Sequence, residues 1–455
     1  MEDKLISAIN KYKNHCDYLE IRLEDYLNLS ILLKDKNIES LKHSHEYGCS
    51  VRAAYKGGWS FCSFNNLDLL NDYIENCISY AKKTARVQTV LAPVPVINDY
   101  VKFELINDPG KKSLKEKIEL LEYYNNMALG SYPEIKNTQV HYIDTLKKAI
   151  FVNSDGTCIT QETMDLSLDI NIIASKDNII QTTHVGCGSS NDFNVCYGLE
   201  EEIKEKCLLS HELLNAPQVK GGLYPVVCNP DLAAVFVHEA FGHMSEADDY
   251  TENPDMLNIL KIGKEIGSPV LNIYDSGIDK GLRGYLKYDD EGVKTEKTYL
   301  IKDGILVGRL HSRESAGILN EKSTGNARAL NYRYPPICRM RNTCIQAGDS
   351  SFNDLISDIE LGVYALDSLG GCGGEMFSFT AGYGYMIRNG KIAEPVRNLK
   401  IIGNLFVTLK NIDKVGNDFK FKDWGGGCGK GAQFPLPVSH TSPHIRIQNA
   451  TIGGV

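Results

Sequence analysis

The residues best placed to do chemistry are His238-Glu239-Ala240-Phe241-Gly242-His243. Two imidazoles can hold a divalent metal as neutral nitrogen donors, and a carboxylate beside one of them can serve as general base toward a water. In the familiar HExxH helix the histidines stand at i and i+4. Four steps of about 100° return the second ring to within about 40° of the first. Here the second histidine is at i+5, which on an ideal helix points about 140° away and cannot share a metal. One inserted residue, a π-bulge, restores a common face, and such bulges favour functional sites. Gly242 precedes His243, where a backbone irregularity costs least. Either a bulge or a helix end near Gly242 must bring the rings together.

A catalytic metal of this kind needs a third protein ligand and one open position. Glu246, three residues beyond His243, is the nearest candidate; Asp248 and Asp249 read as solvated carboxylates. His440 and His444 are spaced by four, but Pro443 between them rules out a shared helix face. Two cysteines sit in glycine loops that give a metal open access: Cys372 within Gly370–Gly374, and Cys428 within Gly425–Gly431. A thiolate suits zinc, and the spacing does not choose between them. The second loop is not a phosphate cradle. Trp424 stands where the first glycine is needed, and Gly431 replaces the Ser or Thr expected after Lys430.

The elements that must position these residues can be read from periodicity. Residues 1–14 and 66–85 have helical spacing, and 17–62 alternate as strands with a Gly-Gly turn. Residues 86–111, with Pro93, Pro95, Pro109 and Gly110, read as a linker. A helix over 113–130, a strand meander over 137–185 and a charged amphipathic helix over 197–215 follow. After Gly221-Gly222 comes the short strand LYPVVCN, then a helix that Asp231 caps, with Leu232, Val235 and Phe236 on its core face. From Ser268 onward short strands and glycine turns dominate, as suits packed sheets or a barrel-like sandwich. The expected fold class is α+β: a mixed α/β N-terminal region followed by a β-rich C-terminal domain carrying the metal helix. The expected units are 1–90, 110–217 and 220–455.

The 455 residues exceed one ordinary core. No apolar run of about 20 residues is present, so no membrane span is expected. The N-terminus lacks a basic and apolar secretory leader. Thirteen scattered cysteines without a CxxC pair point to reduced thiols and a cytoplasmic location. A net charge of −9 and the absence of a basic stripe exclude direct nucleic-acid contact as an expectation.

HEAFGH with the acidic stretch behind it resembles the HExxxH segment of the TldD/PmbA family, on its metal-bearing TldD side. The resemblance continues in order through DSGIDKGLRGYLKYDDEGVKTEKTYLIKDGILVGRL (275–310), STGNARALNYRYPPICRMRNT (323–343), FSFTAGYGYMIRNGKIAEPVRNLKIIGN (377–404) and GGCGKG (426–431). The N-terminal YLEIRLEDY and GCSVRAAYKGGWSFCSF are similar to the family's first domain, so nearly the whole chain is covered. The resemblance implies a zinc-dependent peptidase acting on unfolded or modified peptides. It implies metal ligation by His238, His243 and a C-terminal cysteine, which here is Cys428, with Glu239 as general base. It also implies a homodimer, or a heterodimer with a related subunit. The alternatives it leaves are a non-catalytic partner subunit and a regulator within such an assembly. The 323–343 and 377–404 stretches have no role assigned by the sequence.

Overall fold

The computed structural model describes residues 1–253 and 255–453. Helix α1 (Glu2–Tyr12) leads into three strands, β1 (Tyr18–Lys34), β2 (Asn37–Tyr55) and β3 (Gly58–Phe64), and then α2 (Leu70–Lys83). Next come β4 (Asn98–Val101), α3 (Leu114–Leu129), β5 (Ile135–Asn153), β6 (Cys158–Lys176), β7 (Ile179–Ser189) and α4 (Glu200–Leu213). All seven strands join one sheet of order β3-β2-β1-β5-β6-β4, with β7 also on β6. The segment read as a linker therefore contributes a strand: β4 pairs in parallel with β6, Asn98 opposite Cys158. Four residues with no clear alternation give periodicity nothing to detect.

The alternation of β1 explains the layering. Its odd positions Leu19, Ile21 and Leu23 pack with α1 and α2, and Leu29, Ile31 and Leu33 pack with α3 and α4. Successive side chains on a strand point to opposite faces, so all four helices cover one face of the sheet. The other face carries Glu20, Arg22, Glu24, Tyr26 and Asn28 from β1, and Thr163, Asp165, Ser167 and Asp169 from β6. It is polar, and it meets the C-terminal part.

That part holds β8 (Gly222–Cys228), α5 (Pro230–Phe236), β9 (Ile273–Ser276), β10 (Lys297–Lys302), β11 (Ile305–Leu306), β12 (Ala327–Arg328), β13 (Ile337–Cys338) and β14 (Asn342–Ile345). It continues with β15 (Leu361–Cys372), β16 (Met376–Arg388), β17 (Lys391–Val396), β18 (Lys400–Asn404), β19 (Ile412–Val415), β20 (Gly427–Lys430), β21 (Gln433–Pro437), β22 (Ser439–Thr441) and β23 (Ile445–Gly453). A second seven-stranded sheet runs β15-β8-β23-β18-β16-β17, with β19 on β23, beside a five-stranded sheet β11-β10-β9-β14-β22. The α5 side chains Leu232, Ala233 and Phe236 lie in the core of this region with residues of both sheets. The fold is α+β with a β-rich C-terminal half.

The two halves are joined by charge. Arg52 bonds Glu20 and Glu291, Arg22 donates to the carbonyls of Asn331 at 3.0 Å and Tyr334 at 2.9 Å, and Asp165 takes Arg283 through both oxygens. The Glu24 carboxylate accepts the Tyr332 N–H at 2.7 Å. All thirteen cysteines are unpaired. Among the described residues, no helix is long and apolar enough to cross a membrane.

Glu291 is 1% exposed and also accepts the Arg313 N–H, so its loss strands buried partners. Glu291→Ala is expected to cost about 3 kcal/mol or more in urea unfolding. A loss below about 1 kcal/mol would match a mere surface pair and contradict this role for the ion cluster.

Candidate metal centre

The helix leading to the histidines is capped two residues earlier than the sequence implies. Asn229, not Asp231, is the cap: its side chain accepts the Leu232 N–H at 3.0 Å, with Pro230 in the first turn. Asp231 instead accepts the Ser368 N–H at 3.1 Å. It lies buried near Asp367, and that burial and neighbouring charge push its carboxyl up to about 6. Phe236 anchors the helix edge-on against Phe377 and Phe379, with centroids 5.2 and 5.8 Å away.

From Val237 to Gly242 the helix widens into a π turn. The extra residue brings the i and i+5 rings together: His238 and His243 have centroids 5.4 Å apart at 80°. Gly242 has ordinary right-handed helical angles, φ −57° and ψ −49°. Its need is for space, not for freedom of φ. A Cβ there would lie 2.0 Å from the Met340 sulfur.

The ribbon β20–β21 places Cys428 opposite this turn. Its sulfur lies 3.4 Å from His243 Nε2, and donor atoms of His238, His243 and Cys428 all lie within 4.8 Å of one another. Arg339 holds the ribbon from beneath, donating to the carbonyls of Cys428 at 2.8 Å and Gln433 at 3.3 Å. Cys372 is exposed at the end of β15 and is not in the cluster. Its neighbour Gly373 nonetheless presses on the same turn, since a Cβ there would meet the Glu239 carbonyl oxygen at 1.9 Å.

The carboxylates sort by partner. His243 Nδ1 donates to Glu246 at 3.0 Å, and Nε2 is turned toward the Cys428 sulfur. Glu246 also accepts the Met340 N–H at 3.2 Å and lies 3.1 Å from Lys430 Nζ. Asp248 and Asp249 are not simply solvated. Both pair with Lys430, and Asp248 also accepts the Cys338 N–H. Glu239 Oε2 stands 3.8 Å from His243 Nε2, with about a third of its side chain exposed. Burial raises the Glu239 carboxyl above its ordinary range, Glu246 adds to this and His243 opposes it. Burial alone would lower His243, but the Cys428 sulfur and Glu246 together lift it to about 10. His238 goes the other way: burial, then the charges of His440, His243 and Arg339, hold it well below the usual value.

These residues fit a metal. His238 is 3% exposed, and its Nδ1 has no hydrogen-bond partner among the described residues. A neutral imidazole, a second imidazole oriented by a carboxylate and a thiol form an N₂S donor set that suits a borderline divalent ion. The His440 ring centroid is 5.6 Å from that of His238, but His440 is outside the cluster, and His444 is engaged with Asp418 and Tyr364. The sequence assigns no role at the site to Lys430 or Arg339. Lys430 could have been noticed two residues after Cys428, whereas nothing local marks Arg339.

Comparison with known proteins places the chain in a family. Family models described as PmbA/TldA metallopeptidase domain 1, central domain and C-terminal domain match residues 19–85, 107–211 and 221–454. A metalloprotease of Synechocystis is 41% identical over 99% of this chain and 97% of its own length. A zinc metalloprotease TldD homolog of Saccharolobus solfataricus is 30% identical over 96% of each chain. The crystal structure of TldE from Thermococcus kodakarensis shares the fold, with a TM-score of 0.76 at 17% identity over 99% of this chain and 100% of that one. The chain belongs to the PmbA/TldD metallopeptidase family.

The contact between Gly242 and Met340 predicts the effect of one methyl group. Gly242→Ala must displace a fully buried methionine, and overpacking of this kind costs about 1–3 kcal/mol. Urea unfolding of the metal-free chain measures it. An unchanged midpoint would show that the π turn is not packed as described.

Proposed function

We propose that the protein is a zinc-dependent peptidase, with His238, His243 and Cys428 as metal ligands and Glu239 as general base. The observation that carries this reading is the π turn that lets two histidines five residues apart meet one thiol, with Glu239 facing the same space. The family and the metalloprotease names of its relatives support it. Zinc would supply Lewis acidity toward a scissile carbonyl and a water.

The chain's own groups do the remaining work. His238 stays neutral because burial and neighbouring positive charges disfavour its protonation. Glu246 fixes the His243 tautomer by accepting its Nδ1–H. Glu239 takes the proton of the attacking water at its carboxylate and delivers it to the leaving amine. A carboxyl pushed upward by burial suits both roles better than an ordinary one. Arg339 and Lys430 keep the Cys428 ribbon against the helix.

The substrate in this reading is an unfolded or modified peptide, and the location is the cytoplasm. The working form is a dimer, either of two copies or with a related subunit.

Glu239→Gln keeps every proposed ligand and removes the base. It is expected to bind zinc as the unsubstituted chain does and to lose peptide cleavage by about 100-fold or more, as read by metal analysis and by mass spectrometry of an unfolded peptide. Cleavage at the unsubstituted rate would refute the role of Glu239.

A further inference from the structure

A cavity of about 670 Å³ lies between the polar face of the N-terminal sheet and the C-terminal half. One wall is sheet, including Asn28, Thr145 and Ser167. The facing wall is Gly425–Gly427 with Phe434–Pro437, the two arms of the ribbon that carries Cys428. A smaller pocket of about 390 Å³ shares Tyr26, Lys147, Thr163 and Met164 with it and continues it along the sheet. The residues of the metal centre are not among those that line this cavity, but Gly427, the neighbour of Cys428, is.

Three lysine or arginine side chains line the cavity. Arg283 is held by both oxygens of Asp165, at 2.7 and 2.9 Å. Lys147 lies 3.4 Å from Glu24. Arg328 differs: it is 4% exposed, yet among the described residues no carboxylate lies within the 4.0 Å of an ion pair. A guanidinium has five N–H donors. Nη1 donates to the Met340 carbonyl and Nη2 to the Pro437 carbonyl, each at 2.7 Å, and no other acceptor is found among the described residues.

The surroundings sharpen the imbalance. Arg339 and Arg341 are also buried, have no carboxylate at ion-pair distance among the described residues either, and act on Arg328 with like charge. Burial first, then these two neighbours, hold the Arg328 guanidinium down at about 9. Asp290, on the same wall, is committed to Arg22 and to the Ala329 N–H, and it acts on Arg328 only from beyond 4.0 Å. A buried cation with unused donors on a cavity wall is a place where an anion gains most.

We propose that Arg328 binds a carboxylate of the peptide, so that this cavity selects peptides by a negative group near the cleaved bond. The proposal rests on the peptidase reading. Pro437, whose carbonyl anchors Arg328, pairs with Gly427, the residue before Cys428. Arg328 is thus tied through one strand pair to the residue that precedes Cys428. Both a peptide C-terminus and an acidic side chain offer this chemistry.

The test uses the full-length Glu239→Gln protein, which holds peptide without turnover. Calorimetry compares one short alanine- and serine-rich peptide as free acid, as C-terminal amide, and as an amide ending in glutamate. The free acid, the glutamate amide or both are expected to bind about tenfold or more tightly than the plain amide. A tight free acid alone identifies the C-terminus, and a tight glutamate amide identifies a side chain. Adding Arg328→Gln should erase the preference, and adding Arg328→Lys should keep part of it. Equal binding of all three peptides, or a preference that survives in folded Arg328→Gln, overturns the proposal. Cleavage of the three peptides by unsubstituted protein separates the two readings. Cleavage without preference refutes only the carboxylate site, whereas neither binding nor cleavage of any peptide refutes both.

Discussion

A helical turn widened by one residue sets His238 and His243 side by side, and the rest of the centre is arranged around that turn. A π turn is less favourable than an α turn, so its neighbours must hold it. Asn229 and Pro230 start the helix at a defined point, Phe236 wedges it against Phe377 and Phe379, and Gly242 lets Met340 pack directly on the backbone. Gly373 presses on the Glu239 carbonyl from another side. The widened turn is thus enclosed by close backbone and side-chain contacts.

Charge does the complementary work over longer distances. The helix-free face of the N-terminal sheet is polar because β1 alternates, and its carboxylates and arginines are matched to the C-terminal half. The same logic recurs beneath the ribbon, where Arg339 reaches the Cys428 carbonyl and Lys430 gathers Glu246, Asp248 and Asp249. Buried ion pairs gain little net stability over apolar packing but penalise every misaligned arrangement. Here they fix where the ribbon lies relative to the helix, which a purely apolar contact would do less strictly.

Much of this was legible in the residues themselves. The long strands β1, β2, β5 and β6 announce themselves by period-two alternation, and the i,i+5 spacing demands an irregular turn by geometry alone. What was hidden depends on distance along the chain. The strand β4 exists because β6 offers it an edge, not because four residues prefer extension. Asp231 looked like a cap because acids favour that position, but Asn229 reaches the free N–H first. The choice between Cys372 and Cys428 was closed to spacing arguments. The 185-residue separation of Cys428 from His243 is bridged only by the fold, and both cysteines lie in glycine loops. The family resemblance pointed to Cys428, and the fold brings that thiol to His243. The 323–343 stretch, without a role in the sequence, supplies Met340 against the π turn and Arg339 beneath the ribbon.

The central claim is a metal held by two nitrogens and one sulfur across this turn. X-ray absorption at the zinc edge, with metal content per chain, tests it directly. The account predicts one zinc per chain with a sulfur neighbour that vanishes in Cys428→Ala and persists in Cys372→Ala. A zinc shell without sulfur, or a sulfur signal lost only with Cys372, would contradict it.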